Sequence, residues 1–311
     1  MKSEFEPTSI SEIVRATSSG DISCREHVAS RLERTLALEP DVQAWAHLDP
    51  GQGLQRAESL DRSEQHGRLH GVTVGVKDII DTHDMPTEFG SDIYRGHRPV
   101  RDAACVALTR RAGGVILGKT VTTEFANVTP GKTRNPFDSN RTPGGSSSGS
   151  AAAVAAGMVD IAIGTQTTGS TIRPASFCGV VGYRPTYGDL TTSGVMQVSG
   201  SVDTLGILAR HVDDVALYRD ILMGVSPKPL PPVQTPSLML CRTEHWLDLA
   251  PSTRTLIEDA AERLASNSAR VEEVASPASL GRLEKAHRWI TSFEMTRNLT
   301  WEIEKPLGVA E

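Results

Sequence analysis

The sequence predicts an α/β fold in which helices cover both faces of a sheet. Short apolar, β-branched runs at 72–76, 114–118 and 159–163 read as strands with no solvent face. Helix-like segments at 103–112 and 151–156 alternate with them, the order an α/β sheet produces. The chain has 311 residues, 38% of them hydrophobic, which is enough to bury a substantial core.

The first forty residues read as two helices. Ser9 to Glu12 and Ser23 to Glu26 each have the S-x-x-E form of a capping box, in which serine and glutamate satisfy orphan backbone donors reciprocally. Val28, Leu32 and Leu36 repeat every four residues, suited to one face of the second helix. Gly20-Asp21 stops the first helix and turns the chain. Alternation at 42–48 predicts a short strand. From Gly71 strands and helices succeed one another. A Pro-rich stretch at 227–236 predicts an extended connector. A strand at 238–241 and helices around 253–264 and 280–301 follow. The expected division is an N-terminal helical region at 1–70, a core at 71–226 and a partial C-terminal region at 227–311, together one compact domain, 1–311. Little beyond Lys305-Pro306 reads as a finished terminal element, so a truncated C-terminal part is expected.

Composition narrows the function. Lys and Arg number 32 against 38 Asp and Glu, a formal charge of −6, so the basic excess of a nucleic-acid binder is missing. No apolar run approaches the roughly eighteen residues of a membrane span. Residues 1–20 lack the basic and apolar regions of a secretion signal, and a cytoplasmic protein is expected. Cys24, Cys105, Cys178 and Cys241 are widely spread, with no metal-ligand spacing, so buried reduced thiols and no metal site are expected.

Two short motifs fail on context. Gly113 to Thr120 satisfies G-x-x-x-x-G-K-T, but Val115-Ile116-Leu117 reads as a strand where a phosphate loop needs exposed backbone. Gly145 to Gly149 satisfies G-x-S-x-G, but the preceding 135–143 is loop chemistry rather than a core strand, and the downstream His211, His245 and His287 lack persuasive context.

Three segments, 71–78, 144–149 and 164–179, carry more when taken together. Singly, 144–150 reads as a linker or helix-entry loop, Lys77 as a strand-end charge and Ser170 as a helix N-cap. Together, GGSSSGSAAAVAAG and GTQTTGSTIRPA, with GVTVGVKDIIDTHDMPTEFGSDIYRG before them, resemble the amidase-signature family, most closely its malonamidase-type members. The resemblance covers nearly the whole chain and is strongest from Gly71 to about Thr186. It implies an α/β/α sandwich around a mixed twisted sheet.

The resemblance also implies Ser170 as acyl-accepting nucleophile, Ser146 as bridging serine after a cis Gly145–Ser146 peptide, and Lys77 as base. A serine hydroxyl attacks only when a base takes its proton, and lysine can serve only when neutral, a form that desolvation favours. The backbone amides of Thr167, Thr168, Gly169 and Ser170 would hold the oxyanion. Many relatives carry Asp and Gly where this chain has Gln166 and Thr168, so the turn departs from the family pattern at these two positions. Arg173 lies three positions after Ser170, an offset shared with malonamidase-type members, which use it for a substrate carboxylate. A structural salt bridge is the other reading. Asp78, Lys119 and Thr120 match family positions and read as support for the Lys77 loop.

The expected activity is hydrolysis of a small amide, carboxylate-bearing on the Arg173 reading, with no cofactor. The rivals are the amidase subunit of a tRNA-dependent amidotransferase and an amidase-like protein that binds without turnover. A missing strand would expose a sheet edge and invite a partner or a homodimer.

Overall fold

A computed structural model describes residues 9–232, 235–277 and 279–304. The expectations about the first eight residues and about the chain beyond Lys305 lie outside the described residues, as do two residues of the Pro-rich stretch. The chain divides into two compact units, Met1–Pro229 with Met295–Glu311, and Leu230–Glu294.

In the first unit, α1 (Ile10–Ser19) and α2 (Cys24–Val42) open on complete capping boxes at Ser9/Glu12 and Ser23/Glu26, and α1 ends at Gly20 with φ 78°. β1 (Trp45–Leu48), α3 (Pro50–Asp61), β2 (Thr73–Lys77), α4 (Ala104–Arg111), β3 (Val115–Thr120) and α5 (Ser148–Ala155) follow. β4 (Ile161–Gln166), α6 (Ile172–Phe177), β5 (Val181–Tyr183), β6 (Thr204–Ala209) and α7 (Val212–Leu222) complete the layers. The six-stranded sheet runs β1-β3-β2-β4-β6-β5. β2 is parallel to both β3 and β4, and the other pairs are antiparallel, so the sheet is mixed.

Alternation along the strands sorts the core into two faces. Ile116, Ile161 and Ile163 join Ile10 of α1, Val106 of α4 and Tyr218 of α7. Leu117 and Ala162 join Val28 of α2, Ala57 of α3 and Ala151–Val154 of α5 on the other face. The α/β sandwich expected from the sequence is the architecture observed. The segment matching G-x-x-x-x-G-K-T is largely β3 itself, buried throughout.

The second unit contains β7 (Ser237–Arg242) and β8 (Arg270–Ala275), paired in parallel, with α8 (Pro251–Ser266) between them in sequence. Arg242 pairs with Glu258 at 3.1 Å and with Glu273. Cys241 on β7 corrects the expectation of four buried thiols. This strand is largely exposed, whereas Cys24, Cys105 and Cys178 are buried in the first unit. Burial pushes those three thiols up to about 12. Among the described residues, no helix is long and apolar enough to cross a membrane.

Candidate active site

The carboxyl ends of β2, β3 and β4 lie side by side, the usual place for a site in an open α/β sheet. Lys77 is the last residue of β2, flanked by strands on both sides and wholly buried. Its Nζ donates to Ser146 Oγ at 2.7 Å and to Thr165 Oγ1 at 2.7 Å. Burial lowers its pKa from 10.5 to about 7, against the opposing pull of the Asp203 charge.

Ser146 sits in the loop that enters α5, and the Gly145–Ser146 peptide is cis. The loop and the first turn of α5 each depend on a glycine. Gly144 has φ +76°, and a Cβ there would lie 2.9 Å from Pro174 Cα. A Cβ on Gly149 would lie 2.2 Å from the Ala44 carbonyl oxygen. The serine-dense stretch is no flexible linker, because its hydroxyls are bonded to the sheet. Ser147 Oγ donates to the Thr165 carbonyl at 3.2 Å, and Ser150 Oγ lies 2.6 Å from Thr120 Oγ1.

Ser170 ends the turn between β4 and α6 and is buried, 8% exposed. Its carbonyl accepts from Ser147 N at 3.1 Å, which seats the turn beside the Ser146 loop. Gln166 fastens the same turn. Its Oε1 accepts from Thr171 N and Ile172 N at 3.0 and 3.1 Å, and its Nε2 donates to the Thr168 carbonyl at 3.0 Å. The amide therefore holds the helix start as a carboxylate could and adds a donor that an ionised carboxylate lacks. Thr167 Oγ1 donates to Asp203 Oδ1 at 2.5 Å, and Arg173 N donates to the Gly169 carbonyl at 2.9 Å. Arg173 itself is exposed and donates through Nε to the Gly145 carbonyl at 3.1 Å. No carboxylate pairs with it among the described residues. Lys77, Ser146 and the 167–170 turn thus come together, and Arg173 borders them.

Behind Lys77, the Lys119 ammonium lies 3.2 Å from Asp78 and donates to Thr87 Oγ1 at 2.5 Å. Glu88 N donates to the Asp78 carboxylate, and Asp78 N to the Thr120 carbonyl. This buried pair braces the loop after β2. Burial raises Asp78 to about 6 and lowers Lys119. Elsewhere His83, Asp84 and Asp102 have metal-ligand spacing. There the Arg110 guanidinium supplies the positive charge, 2.7 Å from Asp84 and 3.0 Å from Asp102.

Sequence reasoning missed two residues. Thr165 stood inside the quoted GTQTTGS stretch, so its proximity could have been noticed. Asp203 lies 36 residues beyond Thr167, with no local signal.

A family model described as Amidase matches residues 26–305. A glutamyl-tRNA(Gln) amidotransferase subunit of Rhodopirellula baltica is 39% identical over 230 residues, 71% of this chain and 46% of that protein. A crystal structure described as amidase superposes with a TM-score of 0.87 at 32% identity, covering 94% of this chain and 69% of that one. The native peptide amidase of Stenotrophomonas maltophilia gives 0.82 at 30% identity, covering 96% and 68%. The chain spans about half the length of the curated relatives it matches. With the family model reaching from α2 to the end of the described residues, over a sheet that superposes on solved amidases, this chain belongs to the amidase family.

Proposed function

We propose that this chain cleaves the C–N bond of an amide through an acyl-enzyme on Ser170, with Ser146 and Lys77 relaying the proton. The observation that carries the reading is the buried contact between Lys77 Nζ and Ser146 Oγ, with an amine that burial brings to about 7. A neutral amine has one lone pair. With one N–H directed at Thr165 Oγ1, rotation of the neutral amine reverses the 2.7 Å contact with Ser146, so that Ser146 donates to the lone pair. As Ser170 Oγ bonds to the carbonyl carbon, its proton passes to Ser146 and that of Ser146 to Lys77. The backbone amides of 167–170 receive the oxyanion. On collapse the relay runs backward and protonates the departing nitrogen, and water then releases the acid by the same route.

Two settings suit this chemistry, and the better supported is the amidase subunit of a tRNA-dependent amidotransferase, because curated glutamyl-tRNA(Gln) amidotransferase relatives reach 39 to 43% identity. The freestanding, malonamidase-like reading rests on the Arg173 offset, and that guanidinium already holds the Gly145 carbonyl. Ammonia delivery from glutamine and co-purification with a tRNA-binding partner support the first setting. Turnover of short carboxylate-bearing amides by the chain alone, with KM raised selectively in Arg173→Ala, supports the freestanding enzyme.

The chemistry itself is tested by intact mass spectrometry with a fluorophosphonate. One adduct is expected on the wild type and none on Ser170→Ala. Undiminished labelling of the variant means another nucleophile, and an unlabelled wild type favours binding without turnover.

A further inference from the structure

We propose that Asp203 is a positioning residue of the amide-cleaving site, tethering the Thr167 end of the 167–170 turn and holding a negative charge toward the Lys77 amine. The inference rests on the reading of Ser170 as nucleophile and Lys77 as base.

The placement follows from the sheet. β4 and β6 pair in register up to Gln166 opposite Thr204, so the next residue along β4, Thr167, meets the residue just before β6, Asp203. The Asp203 carboxylate collects three donors: Thr167 Oγ1 on Oδ1 at 2.5 Å, and Val198 N and Ser199 N on Oδ2 at 2.7 Å each. Its own N–H donates to the Ser199 carbonyl at 2.9 Å, closing the 199–203 turn. A carboxylate accepts at both oxygens, whereas an asparagine in its place offers one acceptor and turns a donor toward donors. Asp203, Thr165 and Thr167 line one small cavity together with Ile79. Thr165 is the second partner of the Lys77 amine, so one residue of this cavity's wall touches the amine directly.

The carboxylate adjacent to Lys77 in the chain is committed elsewhere. Asp78, the next residue in the chain, pairs with Lys119 of β3. The Asp203 charge opposes the effect of burial on Lys77, while burial pushes the Asp203 carboxyl itself up against the bonds from Thr167, Ser199 and Val198. Burial favours the neutral amine and a nearby carboxylate favours the charged one, so the two together set the amine near the pH at which a general base works best.

The test is the rate of fluorophosphonate labelling of Ser170 across pH in the wild type and in Asp203→Asn, Asp203→Glu and Thr167→Val. In the wild type, labelling rises with pH through about 7 as Lys77 loses its proton. Removing the carboxylate charge stabilises the neutral amine, so in Asp203→Asn the acid limb moves to lower pH by about one unit. The plateau falls roughly tenfold as the turn loosens. Asp203→Glu returns the limb toward the wild-type position. Thr167→Val cuts only the tether, so its plateau falls and its limb stays in place. A limb unmoved in a folded Asp203→Asn overturns the inference, as does a wild-type plateau in Thr167→Val, which decides the matter even where the Asn variant does not fold. Failure of the underlying reading looks different, because the wild type itself is then unlabelled or Ser170→Ala still labels.

Discussion

Lys77→Met is expected to lose acylation by about a thousandfold or more while making the folded protein more stable. The kinetic half follows from the proposed role, since a positioned base contributes roughly 10² to 10⁴ in rate and Met offers no lone pair of comparable basicity. The stability half follows from where the amine sits. Lys77 is buried, and its folded pKa of about 7 lies below the 10.5 of an exposed lysine. Between those values the unfolded chain binds a proton that the folded chain does not, so stability falls as the pH drops from 10.5 toward 7. The accumulated cost at neutral pH is on the order of 4–5 kcal/mol. Met removes that cost and forfeits two hydrogen bonds, to Ser146 and Thr165, worth about 1 kcal/mol each. The net gain expected in urea unfolding at pH 7 is about 2 kcal/mol, shrinking and then reversing as the pH approaches 10.5. A destabilised variant at pH 7 would mean the lysine is held charged.

Asp160→Asn is expected to destabilise the protein by about 3–5 kcal/mol, the cost of breaking a buried ionic cluster by removing one partner. Asp160 precedes β4 and is buried. Its carboxylate contacts His27 Nε2 at 2.8 Å, Arg31 Nε at 2.9 Å and Arg210 Nη2 at 3.3 Å, and accepts from Thr73 N and Oγ1 at 2.9 and 2.7 Å. These contacts tie α2, the start of β2 and the end of β6 to one point. Burial pushes the carboxyl up, but His27, Arg31 and Arg210 together outweigh it and hold the group far below the usual carboxylate range. The sign is the opposite of that for Lys77. The contribution is fully present above about pH 4, where the unfolded carboxyl is ionised, and is lost only as the pH falls well below that. Urea unfolding at pH 7 and pH 3 checks both statements. An unfolding free energy within about 0.5 kcal/mol of wild type, the spread of an ordinary surface substitution, would show that the cluster contributes little.

What the sequence disclosed and what it withheld divide along contact distance in the chain. Capping boxes span three residues, so Ser9 and Ser23 announce their helices. Strand alternation is equally local, and the order of strands and helices points to the α/β class. The segments that hold Lys77, Ser146 and Ser170 were legible through motifs that resemble a family, because each keeps its own pattern. Asp160 meets His27 across 133 residues and Asp203 meets Thr167 across 36, with nothing in either neighbourhood to mark the partner. Only the register of β4 against β6 and the packing of α2 on the sheet create those contacts. Lys119 is the converse case: the apolar run before it marks its G-K-T as strand rather than phosphate loop, and strand pairing buries it beside Asp78.

The proposed relay turns on an uncharged Lys77 amine at neutral pH, and an NMR titration of the lysine side-chain carbons and nitrogens, with Lys77→Met to assign the signal, measures it directly. A midpoint near 7 is expected. A midpoint close to the 10.5 of an exposed lysine would leave Ser146 and Ser170 without a base and contradict the mechanism.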